Sequence, residues 1–150
     1  MAFDVANTLT RLLTYLSASG HVGQAQIGER KQPIGVKLAA DVWMQRAGVV
    51  STTLGTTIEL HVVIIRLYRD AFSEPSGDIE KELGAAASNI ISDLLGEFDL
   101  GATIRNVDAG GQYGTPVGVE WGHVEIGGKM HRVADVTLGL IVDDAHTFAS

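Results

Sequence analysis

Residues 56–69, TTIELHVVIIRLYR, constrain the fold of this chain more than any other stretch of its 150 residues. In an extended backbone Ile58, Leu60, Val62 and Ile64 fall on one side and Val63, Ile65 and Leu67 on the other. A strand that is apolar on both sides needs cover on both, from helices or from a neighbouring subunit. The chain must therefore fold in layers, with this strand near the centre of a sheet.

The flanking patterns supply candidates for the other layers. Val5, Leu9, Leu12, Leu13 and Leu16 recur at spacings of three and four, which predicts an amphipathic helix with Asp4 as its N-cap and Gly20 as its end. Ile79, Leu83, Ala86, Ala87, Ile90, Ile91, Leu94 and Leu95 predict a second helix over residues 78–95, closed by Gly96. Asp78, Glu80 and Glu82 crowd its first turns, where the helix dipole favours acids.

Residues 36–50 alternate as a strand, and residues 48–55 read as the turn into the central one. Residues 102–108 read as a short strand. Residues 117–126 and 129–142 read as a hairpin around Gly127-Gly128. That register sets His123 opposite Arg132, Trp121 opposite Ala134 and Val119 opposite Val136. It puts Val117, Val119, Trp121, Val136, Leu138 and Leu140 on a core face, with His131, Val133 and Asp135 on a mixed face open to solvent or a partner.

Two stretches carry no period. Residues 20–35 hold four Gly and a Pro and read as a long mobile surface loop, and residues 109–116 read as a flexible Gly-rich loop. The expectation is one α+β domain over residues 1–150, ordered helix, strand, strand, helix, strand, strand, strand, with a mostly antiparallel central sheet and two helices packed on it.

No chemistry emerges from the polar residues, and neither a cofactor nor an enzymatic activity is expected. Cysteine is absent, so disulfides, thiolate zinc sites and cysteine nucleophiles are excluded. The five histidines form no His-Glu-x-x-His pair, and the register puts His123 and His131 on opposite faces. His61, inside the apolar run, reads as a satisfied core or interface residue. Asp143-Asp144-Ala145-His146 reads as a polar tail and not a metal cluster, having no second cluster to complete a coordination shell. Gly110-Gly111-Gln112-Tyr113-Gly114 lacks the Lys-Ser/Thr of a P-loop and precedes a strand, so no helix N-terminus is offered to a phosphate.

Charge and hydropathy narrow the partners. The net charge is −7, and the eleven basic residues are scattered, with only Glu29-Arg30-Lys31 approaching a patch. Gripping DNA from outside calls for clustered Lys and Arg, so specific nucleic-acid binding is not expected. No apolar run reaches the ~18 residues a bilayer span needs, and the N-terminus lacks the pattern of a signal peptide. A soluble protein that stays in the cell that makes it is the expectation.

Three quoted stretches carry a family resemblance: VIIRLYRDAFSEP (63–75), GEFDLGATIRNVDAGGQYGTPVGVEWGHVEIGGKMHRV (96–133) and LIVDD (140–144), with LAADVWMQ (38–45) upstream. In this serial order, over most of the chain, the sequence resembles the tail terminator proteins of siphophages, especially those of actinobacterial hosts, and so the lambda-like terminator class. One departure stands out, Gly139 in the last strand, where the resemblance leads one to expect Pro.

The resemblance implies a structural virion protein at the head-proximal end of the tail. It implies a homo-oligomer, a hexameric ring that caps the tail tube protein, stops its polymerisation and meets a head-completion or connector protein. DNA would pass through its channel without being read, and no membrane is involved. A ring needs two unlike edges per subunit. Interface candidates are Arg66, Arg69, Arg105, Asp108, Tyr113 and His131, the arginines and Asp108 as members of ion pairs, some between subunits. The two loops would order on docking. The competing readings are a head-tail connector or stopper, a tail-tube subunit, and a small enzyme or ligand-binding α+β domain.

Overall fold

A computed structural model describes residues 5–53, 56–72, 76–96, 106–112 and 114–144. Among them lie two helices, α1 (Val5–Ser19) and α2 (Ser76–Gly96), and six strands: β1 (Gln24–Ile27), β2 (Ala39–Thr53), β3 (Thr56–Asp70), β4 (Asn106–Val107), β5 (Gly118–Ile126) and β6 (Lys129–Asp144). The strands form one sheet in the order β1-β2-β3-β6, and the far edge of β6 is shared by β5 and β4. Only the β1–β2 pairing is parallel, so the expected α+β layout with a mostly antiparallel sheet holds.

The doubly apolar run is β3, the central strand, paired along its length with β2 and β6. Its odd-numbered side, with Val63, Ile65 and Leu67, is sealed by both helices. Leu12 and Leu16 from α1 join Ile79, Leu83, Ala86, Ala87, Ile90 and Leu94 from α2 over Ala40, Val42, Ala134, Val136, Leu138 and Leu140 of the sheet. Each buried Leu or Ile of this layer contributes about 1.5–3 kcal/mol from leaving water. Gly20, at φ 77°, ends α1 in the left-handed region that a residue with a side chain adopts only at a cost.

The even-numbered side of β3 is covered differently, and here several expectations fail. Residues 20–35 are not a free loop. They contain β1, which pairs with the start of β2, and then cross the open face of the sheet as a strap. Ile34 buries itself there with Ala39, Tyr68, Ile126 and Val133, and Pro33 lies close enough to Gly127 to leave only 3.1 Å for any added Cβ. His131 and Val133, expected on a face turned outward, are buried beneath this strap.

At the other end of the same face, Asp108 and Thr115 lie against Gly139, beside the buried Leu60. A Cβ on Gly139 would sit 3.2 Å from Leu60 Cδ1 and 3.4 Å from the Thr115 carbonyl, so the glycine admits this loop where Pro would not. The stretch 109–116 is tied by its own hydrogen bonds, Gly114 N–H to Gly111 O at 2.9 Å and Val117 N–H to Ala109 O at 3.1 Å. The expected loose hairpin tip is therefore a closed turn.

The predicted turn at 48–55 is a further correction. Strand β2 runs through to Thr53, with register shifts after Met44 and after Val49. The first of these bulges re-aims Arg46, so that its guanidinium reaches across to Thr115 Oγ1 at 2.8 Å.

Candidate interaction surface

A chain of paired charges crosses the open face under the strap. Asp41, fully buried near the start of β2, accepts from the Arg30 backbone N–H at 2.8 Å and from its guanidinium Nε at 2.8 Å. Arg30 lies over the Tyr68 ring at 5.0 Å. Burial, then the hydrogen bond its hydroxyl donates to Asp41, hold the Tyr68 phenol well above its ordinary pKa.

Next along β3, Arg66 forks onto Asp135, Nε to Oδ1 at 2.7 Å and Nη2 to Oδ2 at 2.8 Å, and stacks 5.1 Å from the Trp43 ring. Its guanidinium is raised above its ordinary value, first by that hydrogen bond to Asp135. A cleft of about 390 Å³ opens between strap and hairpin, lined by Glu29, Lys31, Arg66, Tyr68 and Glu125 among others. Its arginines are already committed to Asp41 and Asp135, and acids share its rim. Within the apparent basic patch at 29–31, Arg30 is thus a structural contact with only 5% of its side chain exposed, while Glu29 and Lys31 face solvent.

A second cluster ties the helices together. Asp93 accepts from the Tyr15 hydroxyl at 2.7 Å and pairs with His21 Nε2 at 2.8 Å. These contacts, Tyr15 first, hold its carboxyl below the usual range. Glu82 bridges Lys37 at 2.8 Å and Arg69 at 3.0 Å beside a cleft of about 350 Å³. Beneath α1, His61 is satisfied as expected, its Nε2 2.8 Å from Glu59 and its Nδ1 3.0 Å from Thr8. Among the described residues no group of three or more His, Cys, Asp or Glu is placed to hold a metal ion.

The predicted interface residues do not gather into one patch. Arg66 and His131 share the open face, joined through Tyr68. Arg69 is on the helix side with Glu82, and Asp108 caps the turn at Gln112 N–H, 2.8 Å away. Arg105 and Tyr113 lie outside the described residues. The ion pairs of Arg66 and Arg69 are made within the chain, as the fork to Asp135 and the bridge to Glu82.

What the fold leaves open is the pair of sheet edges. Strand β5 pairs only with β6, and β1 only with β2, among the described residues. Trp121 on β5 is 43% exposed, a correction to its expected place in the core, because α2 covers β6 and stops short of the edge strand. Ile27 on β1 is 44% exposed. The β5 side carries exposed Glu120 and Glu125, and exposed Arg11 lies on α1, which packs beside β1. Phe72, just past β3, is 77% exposed.

No helix among the described residues is long and apolar enough to cross a membrane. The chain matches no known protein family, and no curated protein matches it.

Proposed function

We propose that the chain is a structural ring subunit, a siphophage tail terminator that caps the tail tube and offers its outer face to the head-completion protein. The observation that carries the reading is a sheet open at two unlike edges. Going across β2, β3, β6 and β5, each strand reverses direction, while β1 runs with β2. Continued into a next copy, β5 therefore meets β1 antiparallel, the commoner pairing. Trp121 and Ile27, both exposed, supply apolar contact at the join. Such a head-to-tail contact is heterologous, the kind that builds a ring when the rotation from copy to copy closes and a filament when it does not.

The short β1 makes each join weak, since four residues bring few hydrogen bonds. Closure, or docking on a preformed tube, then supplies the avidity that one join lacks. The experiment is deletion of the gene from the phage that carries it, followed by electron microscopy of the lysate. Overlong tails without heads support the terminator role. Tails of normal length that fail to join heads assign a connector or stopper instead, and intact particles reject both.

A further inference from the structure

His131 is buried in the hinge between the strap and the sheet, with both ring nitrogens committed. The Lys129 carbonyl, 3.1 Å from Nδ1, accepts only, so Nδ1 carries the proton. The Ile34 N–H, 3.4 Å from Nε2, donates only, so Nε2 must be bare. The strap end at Ile34 is thus held by a lone pair that a proton would occupy.

We propose that His131 is an acid-operated latch: protonation at Nε2 ejects the Ile34 amide and frees that end of the strap from the sheet. The other end stays pinned, because Arg30 is held by the buried Asp41. Release uncovers the small apolar cluster of Ile34, Tyr68, Ile126 and Val133.

The groups that face the ring decide when this happens. From β3, Asp70 favours the imidazolium, but Asp70 is itself paired with Lys129 at 3.1 Å. Tyr68 meets the ring edge-on, with centroids 6.1 Å apart. From the strap Arg30 opposes a second positive charge, as does Lys129 from β6. Burial is the largest influence, and it holds the imidazole below its ordinary pKa. The opened strap returns His131 to water, where it titrates near 6.5. Opening therefore takes up a proton. It is independent of pH above about 6.5 and grows as pH falls, by at most about tenfold per unit, down to the value in the closed state.

The test compares two amides in the full chain by NMR hydrogen exchange from pH 7.5 to 5, after correction for the intrinsic pH dependence of exchange. Ile34 should lose protection by up to about tenfold per unit below pH 6.5, while the Arg30 amide keeps its own. His131→Gln removes the titrating ring, so whatever its absolute level, Ile34 protection should stay flat across this pH range. Constant Ile34 protection in the unaltered protein overturns the latch. So does parallel loss at Arg30, or an unchanged pH dependence in His131→Gln. Should that variant fail to fold, the unaltered protein still decides. Coincident midpoints for the His131 ring and the Ile34 amide support the latch, and a His131 titration that leaves Ile34 unmoved overturns it.

Discussion

Truncating Asp41 probes the strap most sharply. Its carboxylate lies wholly out of water and takes hydrogen bonds from the Arg30 amide, the Arg30 guanidinium and the Tyr68 hydroxyl. In Asp41→Ala the guanidinium, only 5% exposed, keeps its charge and loses its counter-ion, while an amide and a phenol lose their acceptor. Stranding a buried charge in this way costs about 3–5 kcal/mol. That is a large share of the roughly 5–15 kcal/mol that stabilises a domain. The pair itself is a different quantity. Arg30→Met with Asp41→Asn removes both charges but leaves an oxygen for Tyr68 and the Arg30 amide, so the double variant should lie within about 1–2 kcal/mol of the unaltered protein. Urea unfolding followed by circular dichroism reads both values, provided the m-value is unchanged. A loss under about 1 kcal/mol in Asp41→Ala, or a double variant weaker than the single one, would refute the reasoning.

Two further outcomes follow from local geometry. Gly111 and Gly20 both have positive φ, 74° and 77°, but a Cβ on Gly111 would lie 2.7 Å from Pro116 N, whereas Gly20 has open space. In thermal melts Gly20→Ala should cost about 1 kcal/mol and Gly111→Ala clearly more, by about 1–3 kcal/mol of added overpacking. Tyr15→Phe removes the first cause of the lowered Asp93 pKa. Because the folded value lies below the unfolded one, that contact stabilises above about pH 4 and fades as pH falls through the lowered value. Carboxylate NMR should therefore show the Asp93 midpoint rising in the variant, with less loss of stability on acidification than in the unaltered chain.

Much of the architecture was legible because periodicity reports burial directly. The α2 stripe and the two-sided β3 run placed the core layer, and Gly127-Gly128 set the hairpin register, with His123 against Arg132 and Trp121 against Ala134. What period cannot reveal is which element covers a face. Trp121 alternates correctly with Val119, yet lies at an edge beyond the reach of α2. The strap was hidden for a related reason: β1 is four residues long, and its anchors are distant in sequence, Arg30 to Asp41 and Ile34 to His131. The one available signal was Asp41 itself, a carboxylate between Ala39 and Trp43 on the side of β2 opposite the core residues Ala40 and Val42. The bulges in β2 left no mark that alternation could show, since they become visible only against β3.

The join between copies is tested most directly by cross-linking, and the chain suits it because it contains no cysteine. Gln26→Cys on β1 and His123→Cys on β5 put one thiol on each open edge. Oxidation of the double variant, in purified protein and in assembled tails, followed by denaturing electrophoresis, should give a ladder of multimers that ends at a closed ring. Each single variant should stop at dimers or below. A double variant that yields no multimer beyond the dimer in either preparation would contradict the head-to-tail ring.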